Sequence, residues 1–133
     1  MSAESTSTAG VLLLTLAAVA WGGSFLLRVQ SGREETTAFQ AASYRAGHAH
    51  AGVLVLLALV VQPYADAIAL EGGWARLARS GVGVAAVLMP AGFFLGAMGR
   101  GRTSPSRWRL LVAGGGVVLV AAVVTLGVGL LRA

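Results

Sequence analysis

Cysteine and lysine are both absent from this chain of 133 residues. Without cysteine the chain has no disulfide, no iron–sulfur cluster and no thiolate zinc site. Without lysine it has no lysine nucleophile, and its 10 basic residues are all arginine. Charged residues make up only 11% of the chain, against about 25% in an average soluble domain. Because hydrophobic residues reach 56%, the composition excludes a soluble globular domain and indicates an integral membrane protein.

Four uncharged stretches separate the charged residues. They cover residues 5–27, 46–65, 80–99 and 110–131. Each is long enough to cross a bilayer as a helix, which takes about 20 apolar residues, and backbone groups in hydrocarbon must bond within their own helix. The sequence therefore predicts one all-α membrane domain over residues 1–133, a four-helix bundle that assembles as a homo-oligomer. Its transmembrane helices are predicted at about 9–29, 38–62, 81–99 and 109–131.

The arginines are divided unevenly between the two ends of the predicted helices. The linkers after helices one and three, with the start of helix two, hold Arg28, Arg33, Arg45, Arg100, Arg102, Arg107 and Arg109; the opposite end holds Arg76, Arg79 and Arg132. Because arginine-rich loops remain in the cytoplasm, this distribution predicts that both termini lie on the outer side of the cell membrane. The partner predicted for the arginine-rich end is the lipid bilayer, through its anionic headgroups. No nucleic-acid-binding motif accompanies the charge.

Small residues recur in the predicted helices at positions suited to packing. Gly92 and Gly96 form a G-x-x-x-G pair in helix three, and residues 114–116 at the start of helix four are all glycine. Lipid supplies no hydrophobic force between helices, so association depends on close backbone approach at small residues. These glycines therefore predict tight helix packing. Pro90 predicts a kink in helix three.

The most informative stretch opens helix two, where residues 43–54 read SYRAGHAHAGVL. Both histidines of the chain, His48 and His50, belong to it. Ionisable side chains within a membrane span are costly and usually mark function. Two residues correspond to about 200° around a helix, so the two rings point to nearly opposite sides. A single helix therefore cannot bring both rings to one metal ion.

Residues around the histidines are compatible with a bound cofactor. Tyr44 lies one turn before His48, and Arg45 lies three residues before it. Gly47 and Gly52 bracket the histidine pair, and their small size lets a flat macrocycle approach the backbone. Two alternatives remain open: histidines that only hydrogen-bond across helices, and a path for protons or a substrate.

The pattern Arg45-x-x-His48-x-His50 resembles the haem-ligand helices of the haem–copper oxidase superfamily, which includes the oxygen and nitric oxide reductases. In that superfamily one helix opens with an R-x-x-H haem ligand, and another carries an H-x-H pair that binds two haems on opposite faces. The resemblance implies that His48 and His50 are metal ligands for haem b. It also implies that Arg45 pairs with a propionate, and that Tyr44, Gly47 and Gly52 complete the cofactor-binding site.

The same resemblance has consequences for chemistry and assembly. The catalytic subunit of that family has twelve helices in three similar arcs, which implies a homotrimer of this chain, with a dimer as the alternative. Haem is favoured over copper, because no further histidine is present for a copper site. No residue is predicted to be catalytic, and electron transfer is favoured over catalysis. An enzyme of this kind would be a haem-dependent oxidoreductase.

A second resemblance concerns helix one. Residues 17–25 read AAVAWGGSF and are similar to the first helix of drug/metabolite transporters, which carries a W-G-x-x-F motif. That resemblance implies a small transporter that works as a dimer. A structural membrane subunit without a cofactor is the third alternative, because helices one, three and four contain no carboxylate within their spans.

Overall fold

Long helices make up nearly all of the structure, a computed structural model that describes residues 1–68 and 70–133. In chain order they are α1 (Ala3–Gln30), α2 (Ala38–Asp66), α3 (Gly72–Ala97) and α4 (Leu110–Leu131), and a 3-10 turn, Arg107–Arg109, precedes α4. All four α-helices are long and apolar enough to cross a membrane. The prediction of an all-α protein with four membrane-spanning segments is confirmed to that extent.

The helices extend beyond the apolar stretches that predicted them. α1 begins at Ala3 rather than residue 9, α2 continues through Pro63 to Asp66, and α3 begins at Gly72 rather than residue 81. The pattern of charges marks where a chain leaves hydrocarbon, but a helix continues into the interfacial region as long as its backbone hydrogen bonds are made. The polar ends of α1, α2 and α3 therefore project beyond the predicted spans.

Side chains cap the first two helices at their N-termini. The Ser2 hydroxyl accepts a hydrogen bond from the Ser5 amide. Thr37 and Gln40 form a capping box, in which each side chain accepts a hydrogen bond from the other residue's amide. Such caps satisfy amides that have no partner within the helix, so the two starts are determined locally.

The helices pack in chain order as an open row. α1 packs against α2, α2 against α3 and α3 against α4; over residues 1–68 and 70–133 the α1 backbone does not approach α3 or α4. This open row corrects the four-helix bundle predicted from the sequence. The physical reason is that α1 and α4 are apolar on nearly all sides. Closing the row would therefore not bring a polar face of one helix into contact with a polar face of the other. In lipid, an exposed apolar face costs little.

The tightest packing lies in the middle of the row. The buried apolar side chains of the core are mostly small or branched: Leu54, Val55, Ala58 and Val61 of α2, Ala78, Val82 and Ala85 of α3, and Ala122 of α4. By contrast, the most apolar part of α1 is almost entirely exposed. The α2–α3–α4 unit is thus the compact part of the molecule, and α1 is attached to its side.

Glycines allow α3 and α4 to approach closely. A Cβ added at Gly92 would lie 2.7 Å from the Val112 backbone nitrogen, and one at Gly115 would lie 2.5 Å from Cγ of Met89. The packing role predicted for Gly92 is confirmed. Of the three consecutive glycines in α4, only Gly115 lies in this contact, because Gly114 and Gly116 have open space beside them.

We expect Gly92→Ala to destabilise the protein and Gly83→Ala, on the same helix, not to. The added methyl at Gly92 meets a backbone atom that cannot move independently, and such overpacking costs about 1–3 kcal/mol. A methyl at Gly83 meets nothing within 4 Å, and alanine is the better helix former. Thermal unfolding in detergent, followed by circular dichroism, measures both variants. Equal melting temperatures for the two would contradict the close contact at Gly92.

Candidate functional site

The two histidines of α2 face different neighbouring helices. A Cβ added at Gly23 of α1 would lie 3.6 Å from Cε1 and Nε2 of the His48 ring. The His50 ring lies against the Phe93 ring of α3, with centroids 4.9 Å apart. Both histidines are half-buried. As the two-residue spacing predicts, one ring lies in the α1–α2 seam and the other in the α2–α3 seam.

The ring of His50 is oriented by its own helix. Its Nδ1 lies 2.7 Å from the Ala46 carbonyl oxygen. A carbonyl only accepts hydrogen bonds, so Nδ1 is the donor, and in the neutral ring with this tautomer the lone pair is on Nε2. Histidines that bind metals are commonly held this way, with the second ring nitrogen donating to a carbonyl or carboxylate.

Tyr44 is held between two phenylalanines at the end of the row that contains the histidines. Its ring stacks on Phe94 of α3, with centroids 5.5 Å apart and planes 17° apart, and meets Phe25 of α1 edge-on at 5.4 Å. The three rings join α1, α2 and α3 about one helical turn before His48. Arg45, the neighbour of Tyr44, is exposed.

The two glycines beside the histidines differ in what surrounds them. A Cβ at Gly47 would lie 2.9 Å from the Phe94 ring and 3.1 Å from Cβ of Phe93. The space at Gly47 is therefore taken up by α3 and serves helix packing. At Gly52 a Cβ would meet nothing within 4 Å. Of the two positions predicted to admit a macrocycle, only Gly52 leaves open space.

A second polar cluster lies at the opposite end of the row. Arg79 of α3 donates to the Asp66 carboxylate at 2.7 Å and also to the Ser5 hydroxyl. The same carboxylate accepts from the Ser5 hydroxyl at 2.9 Å and from the Ser2 amide at 2.7 Å. Asp66 and Arg79 are each only about one-sixth exposed, at 17% and 16%. This cluster, which we call the polar latch, ties α1 to α2 and α3.

Sequence reasoning missed the polar latch as a unit. One feature of the sequence could have predicted it: Asp66 and Arg79 carry opposite charges on two helices that a short connection joins. Asp66 lies about 24 Å along the α2 axis from His50, at 1.5 Å per residue. The latch is therefore separate from the histidine pair.

Gln62 extends the polar latch into the core. It is 1% exposed, and its Nε2 donates to the carbonyl oxygens of Ala58 and Arg79 at 2.9 and 3.1 Å. Its Oε1 has no hydrogen-bond partner among residues 1–68 and 70–133. The amide group thus links α2 to the backbone of α3 one turn inside the Asp66–Arg79 pair.

The two arginine-rich linkers are joined at the histidine end of the row. The Gln40 side-chain amide donates to the carbonyl oxygens of Ala97 and Gly99, at 3.0 and 2.7 Å, and the Thr37 hydroxyl donates to the Arg102 carbonyl oxygen. These bonds hold the α3–α4 linker over the start of α2. The arginines of both linkers consequently lie at one end of the molecule.

In the described part of the chain, side chains that could bind a metal ion do not cluster around one position. No group of three or more histidine, aspartate or glutamate side chains comes together within residues 1–68 and 70–133. Comparisons with known protein families, curated proteins and solved structures find no match.

The residues of the two sequence resemblances meet in the structure. Gly23, from the segment similar to drug/metabolite transporters, lies beside His48. Trp21 of the same segment is 81% exposed on the outer surface of α1. The segment therefore provides one wall of the His48 seam and an aromatic ring directed toward the surroundings.

We expect Asp66→Asn to destabilise the protein on the order of 2 kcal/mol, because hydrogen bonds to charged groups contribute that much and Arg79 loses its carboxylate partner. Glu71→Gln is the matched control, since Glu71 is exposed and makes no ion pair with the described residues. Its effect should stay within about 0.5 kcal/mol. Denaturant unfolding in detergent measures both. Equal effects of the two variants would show that the latch contributes nothing to stability.

Proposed function

We propose that this protein binds haem b in the cell membrane, with His48 and His50 as iron ligands, and that it carries electrons. The observation that supports this most directly is the His50 ring. The Ala46 carbonyl holds Nδ1–H, and Nε2 keeps the lone pair that an iron ligand needs. When bound, haem supplies a one-electron redox centre whose potential depends on its ligands, burial and hydrogen bonds.

His48 supplies a second, separate ligand position. It lies on the other side of α2, half-buried beside Gly23. The missing side chain at Gly23 leaves the ring room to turn within the α1–α2 seam. α2 thus presents its two imidazoles to two different neighbours, His48 toward α1 and His50 toward α3.

Haem fits this donor set better than a metal ion alone. No cluster of three protein ligands forms among the described residues, so copper bound only by side chains would lack donors. Haem would bring its own ring nitrogens, and the imidazoles of His48 and His50 would hold its iron. With no cysteine in the chain, a non-covalently held haem b is the form consistent with the composition.

Other residues of the site support a flat, anionic cofactor. Phe93 packs against His50 and limits how far the imidazole can rotate. Gly52 leaves open space one turn after His48, close to the same face of α2. The exposed guanidinium of Arg45 is available to pair with a propionate, a charge-assisted contact.

Electron transfer suits these residues better than catalysis. A haem enzyme needs an open coordination position and a source of protons. Asp66, the carboxylate of α2, is bonded to Arg79 in the polar latch and lies far from both histidines. Two axial imidazoles would leave the iron without an open position.

We propose that the protein is a homo-oligomer, so that two chains together supply both iron ligands. Because His48 and His50 lie on different sides of α2, one chain does not offer both rings to one iron. In a head-to-tail ring, His48 of one chain meets His50 of the next, whereas a two-fold dimer pairs identical residues. We favour the homotrimer and take the dimer as the alternative.

Reconstitution with haemin tests the ligands. We expect wild-type protein in detergent to give a low-spin Soret band, shifted from that of free haemin, and His48→Ala and His50→Ala to lose the low-spin spectrum. Tyr64→Phe, an exposed position far along α2, should behave as wild type. Added imidazole should restore low-spin iron in the histidine variants. A wild-type spectrum identical to that of free haemin would refute the proposal.

Mixing the two histidine variants tests the shared site. In a head-to-tail ring, neither variant alone binds haem with two imidazoles, and an equal mixture recovers about a quarter of the wild-type content, because one ordered pair of neighbours in four carries both rings. In a two-fold dimer, each variant alone keeps half of the sites. Haem content per chain, measured after co-reconstitution, separates these outcomes. No recovery in the mixture, with both variants inactive alone, would contradict both arrangements.

A further inference from the structure

An apolar groove opens on the surface beside the start of α4. It is lined by Phe39 and Ser43 of α2, Phe93 and Gly96 of α3, and Arg109 and Ala113 next to and within α4, among others. Its volume is about 460 Å³, within the range of roughly 300–1,000 Å³ found for small-molecule sites. Apart from Arg109 and the Ser43 hydroxyl, these named side chains are apolar.

The groove continues along α4 toward the middle of the membrane. Ala113 also borders a second hollow, with Gly116, Val120 and Val124. A Cβ at Gly116 would meet nothing within 4 Å, so the chain itself does not fill this surface. The 22 residues of α4 span about 33 Å, close to the hydrocarbon thickness of about 30 Å. The Arg109 end therefore lies at the membrane boundary.

The mouth of the groove is positively charged and unneutralised. Arg109 is exposed and makes no ion pair with residues 1–68 and 70–133, and no carboxylate lines the groove. Trp108, which is 46% exposed, lies under the Arg107 guanidinium at 5.6 Å. Tryptophan and arginine together are typical of the headgroup level of a bilayer.

We infer that this groove binds an anionic phospholipid of the surrounding bilayer. Its phosphate pairs with the Arg109 guanidinium, and one acyl chain lies over Ala113 and Gly116 toward Val120. A second copy of the chain is the less suitable occupant, because its arginine-rich end would bring seven arginines toward Arg109 but only two carboxylates, Glu34 and Glu35, and Glu34 is already paired with Arg28. Neither histidine lines this groove, so lipid binding does not require haem, although Phe93 lines the groove and also packs on His50.

Native mass spectrometry of delipidated, haem-free protein in mild detergent tests the site, with dioleoylphosphatidylglycerol and dioleoylphosphatidylcholine as probes. We expect wild type to bind the anionic lipid more tightly. Arg109→Gln should weaken that binding about fivefold, because one arginine at a membrane surface contributes roughly 1 kcal/mol. Arg109→Lys should keep most of it. Arg107→Gln is the matched control. It removes the same charge from a side chain that stacks on Trp108 and does not line the groove, so it should not weaken binding as Arg109→Gln does.

The apolar part of the groove is tested separately. Ala113→Phe fills the groove and should weaken binding of both lipids, whereas Ala42→Phe, an exposed alanine near the start of α2, should not. Equal affinity of wild type for the two lipids, or an Arg109→Gln variant that binds as wild type, would overturn the inference. A change of oligomeric state in Ala113→Phe with lipid binding intact would instead identify the groove as an interface between copies.

Discussion

Close approach of helix backbones at glycine and alanine holds this molecule together. Lipid around a helix is as apolar as leucine, so burying more apolar surface gains little, and association depends on contacts that only small residues permit. Gly92 and Gly115 bring α3 and α4 together, and Ala58, Ala78 and Ala85 lie buried in the core at the centre of the row. The order α2–α3–α4 follows, because each of these helices has a small-residue surface for its neighbour. α1 also contains small residues, but a Cβ at Gly10 or Gly22 would meet nothing within 4 Å, so these two glycines do not make a close helix contact.

α1 packs on α2 through a narrow apolar contact that includes Leu12 and Leu16, and polar or aromatic contacts hold it near both ends. The polar latch fixes its first turn through Ser2 and Ser5, while Phe25 meets Tyr44 near its last turn. Between these points the helix is largely exposed. The His48 seam lies near the Phe25–Tyr44 contact.

The two proposed sites differ in burial and in charge. The histidines are half-buried in seams between helices. The lipid groove is an open surface with one uncompensated charge at the headgroup level. Phe93 connects them, since it packs on His50 and also lines the groove. A lipid in the groove would therefore restrict the side chain that limits rotation of the His50 ring.

The sequence by itself determined the helix count, the apolar spans and the divergence of His48 and His50, because bilayer thickness and the helical period act on each segment separately. It did not determine the open row, which depends on which surfaces of α1 and α4 find small-residue partners. It also did not reveal that α3 fills the space at Gly47 while Gly52 stays open, since the two glycines look alike in the sequence. Only tertiary packing joined Asp66 to Arg79 and Ser5, and left Arg109 without an ion pair among residues 1–68 and 70–133, because these relations depend on how separate helices pack.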